Sequence, residues 1–224
     1  MRDWAAWHDN YDDPTSSLAT RLALVQRHLA DALANASAGP IRLLSLCAGQ
    51  GRDVLGVLPT HARRDDVSAV LVEADTRNAA AARRLAADAG LAGTIEVREA
   101  DAGLIATFAD ALPADVLLLC GIFGNVSDED IRRTATAAAA MCKPNGTVIW
   151  TRHRREPDLT PAVRSWFAGA GFDEVAFEAP GTTTLTGLGV GRLRTTSPAA
   201  PPSSDRPWPP SGLPSGRLFT FRDT

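Results

Sequence analysis

From Ile41 onward, short apolar runs alternate with segments whose apolar residues recur at helical spacing, and this alternation restricts the chain to very few folds. "IRLLSLC", "VSAVLVEAD", "GTIEVREAD", "DVLLLC" and "TVIWTRH" read as strands one to five. Between them, "RDVLGVLPTHARR", "TRNAAAARRLAADAGL" and "DEDIRRTATAAAAMC" read as helices, and "AGLIATFADAL" as a helical connection. Strands joined through helices pair in parallel by right-handed crossovers, and the resulting sheet is covered on both faces. After one more helix, "PAVRSWFAGAG", strand six is "FDEVAFE" and strand seven "GLGVGRLRT". The link between those two, "APGTTTLTG", contains no helix and suits an antiparallel partner. The expected fold class is α/β, a doubly wound, mostly parallel seven-stranded sheet with an antiparallel last strand.

The flanks differ from this core. Leu18, Leu22, Val25, Leu29 and Leu33 recur at three- and four-residue spacing, which predicts an amphipathic helix over 17–34 capped by Ser16 or Ser17. Residues 1–38 therefore form an N-terminal helical segment, 39–195 the central domain, and 196–224 a Pro-rich C-terminal tail. The tail's closing "RLFTF" is apolar enough to dock somewhere. A net charge of −3 gives no reason to expect a nucleic-acid or membrane-surface binder. The three cysteines, Cys47, Cys120 and Cys142, form no CxxC pair, and two of them lie in apolar runs, as in reduced proteins. No signal-peptide core or transmembrane-length run is present, so a cytoplasmic protein is expected.

The turn after strand one, "CAGQGRD", is the best-placed ligand site, because open parallel sheets bind ligands beyond the carboxyl ends of their strands. Its glycines allow close backbone approach, and the following helix start favours a negative group. A dinucleotide fingerprint counted from Gly49 needs a third glycine at position 54, which is Val54. A phosphate loop of the G-x-x-x-x-G-K type is also missing, since the only lysine is Lys143.

"LLSLCAGQGRDVL" resembles the first motif of class I S-adenosylmethionine-dependent methyltransferases, and four further resemblances follow in order: "LVEAD", "EVREADA", "DVLLLCGIFGNV" and "CKPNGTVIW". Together they cover about residues 40–195. The resemblance implies a Rossmann-like methyltransferase fold and S-adenosylmethionine as cofactor, with S-adenosylhomocysteine as product. It places Ala48, Gly49 and Gly51 against the methionine end, Glu73 and Ala74 at the ribose, Asp101 and Ala102 at the adenine, and Gly121 and Asn125 near the transferred methyl. Ser45, standing where the family usually has an acidic residue, and Cys47-Ala48, standing for its Gly-Cys, are departures.

The remaining candidates follow from their chemistry. Trp4, Trp7, His8, Tyr11 and Asp12 form an expected lid, since aromatic faces suit a sulfonium cation and flat substrates. Arg21 is a candidate partner for the methionine carboxylate and Asp53 a further cofactor contact, although both also suit purely structural roles. "TRHRREPD" after strand five suits an anionic substrate or a solvated basic loop. His153 and His8 are the candidate general bases for an acceptor that stays protonated near neutral pH. Cys120 reads as a small buried residue, Asp75 as a helix N-cap, and Asp88 and Asp110 as solvated helix residues. No metal is expected. The expected function is methyl transfer to a small molecule; the alternatives are an NAD-type oxidoreductase and a non-catalytic S-adenosylmethionine-binding regulatory protein.

Overall fold

The structure, a computed structural model, describes residues 9–13, 15–180, 185–195, 213–214 and 216–222. Helix α1 (Ser17–Ala34) begins where Ser16 accepts a hydrogen bond from the Ala19 N–H at 3.0 Å, as its cap position predicts. The sheet is built from β1 (Ile41–Leu46), β2 (Val67–Glu73), β3 (Ile95–Glu99), β4 (Ala114–Leu119), β5 (Cys142–His153), β6 (Phe172–Glu178) and β7 (Thr186–Leu193). Helices α2 (Arg52–Leu55), α3 (Thr76–Asp88), α4 (Asp128–Met141) and α5 (Thr160–Gly169) lie between strands.

The seven strands form one sheet in the order β3-β2-β1-β4-β5-β7-β6. β1 pairs in parallel with β2 and β4, while β7 runs antiparallel to both β5 and β6. The strand order therefore reverses between β1 and β4, which opens the ligand crevice at their carboxyl ends. One face is covered by α4 and α5, which bring Ile131, Ala138, Val163 and Phe167 against Leu117, Val148 and Trp150. The other is covered by α1, whose Val25, Leu29 and Leu33 join Leu43, Leu118 and Ile149. Both layers follow from strands that are apolar on two faces.

Two connections are shorter in helix than their apolar spacing predicts. The segment after β1 is a single helical turn followed by 3-10 turns at Leu58–Thr60 and Arg64–Asp66. Gly56 ends that turn, and α1 passes so close that a Cβ there would lie 2.1 Å from Gln26 Nε2. Gln26 Nε2 instead donates to the Arg52 carbonyl at 2.9 Å. The connection after β3 likewise forms two 3-10 turns, Ile105–Thr107 and Ala109–Ala111, with the fully buried Phe108 between them at φ −141°. Asp110 is exposed there, as expected, and its carboxylate forms a surface ion pair with Arg98 at 2.6 Å.

The glycines of β7 make room for the aromatic layer. A Cβ on Gly189 would lie 2.3 Å from the Trp150 indole, which stacks on Phe167 at 5.8 Å. Gly189→Ala should therefore cost about 1–3 kcal/mol through overpacking. Urea denaturation checks this, with an unchanged slope and a lowered midpoint expected.

Candidate functional site

The turn after β1 runs through three residues of positive φ: Cys47 at 56°, Gly49 at 57° and Gly51 at 72°. Glycine adopts such angles without steric cost, whereas Cys47 does so under constraint from its neighbours. The turn is tied internally by the Gly51 N–H donating to the Ala48 carbonyl at 2.9 Å, and to β2 by the Ala48 N–H donating to the Val72 carbonyl at 3.0 Å. Burial pushes the Cys47 thiol well up, so it stays protonated.

Glu73, at the carboxyl end of β2, holds this turn. Its Oε2 accepts from the Gly49 N–H at 2.7 Å and its Oε1 from the Asp75 N–H at 2.9 Å. Burial raises its pKa, and those backbone donors oppose the rise. An ionised carboxylate has about four acceptor positions, so capacity remains beyond these backbone bonds. Asp75 is the N-cap of α3, accepting from the N–H groups of Arg77 at 2.9 Å and Asn78 at 3.0 Å. Ala74, between them, is exposed.

Asp101 follows β3. Its Oδ1 accepts from the Gly103 N–H at 2.8 Å, and its Oδ2 lies 2.8 Å from the Arg217 guanidinium. Ala102 beside it is buried. Arg217 belongs to a C-terminal strap, residues 216–222, which crosses from the loop after β3 to the loop after β4. The Gly216 carbonyl accepts from the Ile105 N–H at 3.0 Å, and the Leu218 N–H donates to the Gly103 carbonyl at 2.8 Å. At its far end the Arg222 N–H donates to the Asn125 carbonyl at 2.8 Å. Leu218 and Phe219 are completely buried. The apolar "RLFTF" thus docks at the carboxyl edge of the sheet, a location the sequence pattern did not specify.

After β4, Gly121 has φ 79° and its N–H donates to Thr151 Oγ1 of β5 at 3.0 Å. Asn125 Nδ2 donates to the Gly121 carbonyl at 2.8 Å, which closes the loop. Arg21 reaches this point from α1, where a Cβ on Gly121 would meet its guanidinium at 3.9 Å. The Arg21 guanidinium donates to the Tyr11 hydroxyl, and the Tyr11 ring lies 5.6 Å from Arg21 and 5.6 Å from Arg52. Burial is the main reason that the Tyr11 hydroxyl is pushed up to about 12. Burial also raises the Asp53 carboxyl, against the pull of Arg21. Cys120 is buried with its thiol pushed well up, consistent with a small packing residue.

His153 closes β5. Its Nδ1 is buried without a hydrogen-bond partner, and a Cβ on Gly124 would lie 3.1 Å from its Cδ2. Burial first, then the charges of Arg152 and Arg155, lower its pKa from 6.5, so the ring is neutral at pH 7. Trp4, Trp7 and His8 lie outside the described residues. The expected residues Ala48, Gly49, Gly51, Asp53, Glu73, Asp101, Gly121, Asn125 and His153 therefore gather at or just beyond the carboxyl ends of β1 to β5, with Tyr11 and Arg21 joining from the N-terminal side. Arg217 and the strap escaped the sequence reading, because only an unplaced apolar run marked them.

Residues 17–168 match a family profile described as "Putative methyltransferase". The chain belongs to this methyltransferase family. Its fold is that of class I S-adenosylmethionine-dependent methyltransferases. An O-methyltransferase family protein from Burkholderia thailandensis superposes with a TM-score of 0.60 at 18% identity, covering 83% of this chain and 61% of that one. This methyltransferase chain thus spans about three fifths of that relative's length. An O-methyltransferase family 2 protein from Planctomyces limnophilus, solved in complex with apigenin, gives 0.57 at 20% identity over 79% of this chain and 59% of that one. An RNA methyltransferase from Salinibacter ruber, in complex with S-adenosylhomocysteine, gives 0.51 at 18% identity over 80% and 95%. No curated protein matches the chain. No described helix is long and apolar enough to cross a membrane.

The strap's stability should reside in its apolar pair and not in its ion pair. Phe219→Ala should cost about 3–5 kcal/mol, as for a buried aromatic. Arg217→Ala should cost under about 1 kcal/mol, because the Arg217–Asp101 pair is partly exposed. Equilibrium unfolding of the two variants checks both values.

Proposed function

We propose that the chain transfers a methyl group from S-adenosylmethionine to a small-molecule acceptor. The observation that carries this reading is the Glu73 carboxylate, which clamps the Gly49 turn and keeps acceptor positions open at the strand end. An acceptor-only group fits a vicinal diol such as a ribose, and Asp101 with its remaining lone pairs fits an adenine amine. Gly121, with nothing nearer than Arg21 to a Cβ position, leaves room at the end of β4. Arg21 and Asp53 together supply opposite charges for the carboxylate and ammonium of the methionine moiety. Family membership supports this cofactor.

When bound, S-adenosylmethionine supplies an electrophilic methyl group. Alignment by the surrounding residues contributes much of the rate in such in-line displacements. Tyr11 between Arg21 and Arg52 forms part of a lid that limits water access from the α1 side. His153 takes the acceptor's proton on its imidazole, for which its neutral state at pH 7 suits it. A small-molecule acceptor is favoured by the net charge of −3, which provides no general attraction for RNA. The same reading places the protein in the cytoplasm, with 1–38 as the lid segment, 39–195 as the cofactor domain and 196–224 as the tail.

Calorimetry with S-adenosylhomocysteine and with NAD tests the cofactor. Binding of S-adenosylhomocysteine alone, lost by about ten-fold or more in Glu73→Ala, is expected. Binding of NAD alone would sink the reading. A non-catalytic role is separated by methyl release from labelled cofactor in the presence of a metabolite pool. With an acceptor identified, kcat/KM, which reports the free enzyme, should rise with pH to a plateau whose midpoint lies below 6.5, because the neutral ring is the active form and its pKa is lowered. His153→Gln should abolish that limb; a limb that persists removes His153 from the role of base.

A further inference from the structure

Arg152 is the one basic residue of "TRHRREPD" that the fold buries, and among the described residues it has no direct counter-charge. It is 8% exposed, donates one guanidinium N–H to the Phe123 carbonyl, and leaves its buried Nε without a hydrogen bond. The carboxylates whose charge acts on it are engaged elsewhere: Asp158 lies 3.1 Å from Arg154, and Asp128 lies 3.9 Å from Arg222. A buried guanidinium that makes no ion pair is costly, and structural arginines in such places ordinarily have a carboxylate partner. Its neighbour His153 likewise holds a buried Nδ1 with no partner.

The position of this pair is set by stitches between the ends of β4 and β5. Gly121 bonds to Thr151, Phe123 to Arg152, and Gly124 packs under His153. The unpaired cation therefore sits two residues along the same loop from Gly121, where the proposed methyl transfer occurs.

We propose that Arg152 is the acceptor-recognition residue, and that the acceptor carries an oxyanion, a carboxylate or a phosphate, held by its guanidinium beside His153. This rests on the methyl-transfer reading above and narrows its substrate class. The planar guanidinium presents its donors in a fork that matches either oxyanion. Anchoring the anion there places the remainder of the acceptor between His153 and the end of β4. A proton on the acceptor atom passes to His153, and the new bond to carbon forms as the sulfur–carbon bond breaks, so the sulfonium charge is lost with the leaving thioether.

The test uses the full chain in calorimetry at fixed pH and ionic strength, with and without saturating S-adenosylhomocysteine. The probes are benzoate, phenyl phosphate and the neutral benzamide. At least one of the two anions should bind about ten-fold or more tightly than benzamide, and which one does separates carboxylate from phosphate acceptors. Arg152→Gln should reduce that binding by about ten-fold or more while S-adenosylhomocysteine affinity stays within about two-fold, which also shows that the variant is folded. Should Arg152→Gln fail to fold, Arg152→Lys serves instead, with anion binding weakened by about three-fold or more because the fork is lost. Equal binding of benzamide and the anions, no binding by either anion, or anion affinity unchanged in the variant would each overturn the proposal. If S-adenosylhomocysteine does not bind but Arg152-dependent anion binding persists, the cofactor reading fails and the anion site stands.

Discussion

The turn after β1 keeps its shape because a carboxylate on the next strand holds it. Glu73 accepts one N–H from Gly49 and one from Asp75, so a single side chain fixes the exits of β1 and β2 together. The parallel register that pairs Leu46 with Val72 puts Glu73 at the correct height. The left-handed backbone at Cys47, Gly49 and Gly51 turns the amide of Gly49 toward it. A shift of register by one residue would reverse the faces of β2 and break the clamp. Every other part of the proposed cofactor site is measured from this fixed point.

Two further constraints complete the carboxyl edge. The strap ties the loop after β3 to the loop after β4, and Arg217 orients Asp101 by pairing with one of its oxygens. On the far side, β5 is stitched to the loop after β4 at Gly121 and Phe123. The edge is therefore braced on both sides of the point where the strand order reverses. In such sheets rigid strand ends position side chains more precisely than free loops do.

Much of this was legible in the amino-acid pattern, and for definite reasons. β6 at Phe172–Glu178 and α1 at Ser17–Ala34 match their expected bounds, because Ser16 caps one and Gly171 and the helix-free loop bracket the other. The Glu73 and Asp101 positions came from the resemblance of "LVEAD" and "EVREADA" to methyltransferase motifs at strand ends. The short α2 did not, since its termination at Gly56 depends on the approach of Gln26 from a distant helix. The strap was visible only as an apolar run, for its burial depends on a groove between two loops more than ninety residues upstream in the chain. "TRHRREPD" suits an anionic substrate and a solvated basic loop equally well as a sequence, and the burial of Arg152 alone among its basic residues shows only in the fold.

The central claim is that Glu73 and Asp101 mark the two ends of an adenosine site at the carboxyl edge of the sheet. A crystal structure of the chain with S-adenosylhomocysteine tests it most directly. The account predicts both ribose hydroxyls on the Glu73 carboxylate and the adenine amine on Asp101, with the Gly49 clamp retained. Nucleoside density elsewhere, with the Glu73 carboxylate bonded only to Gly49 and Asp75, would contradict it.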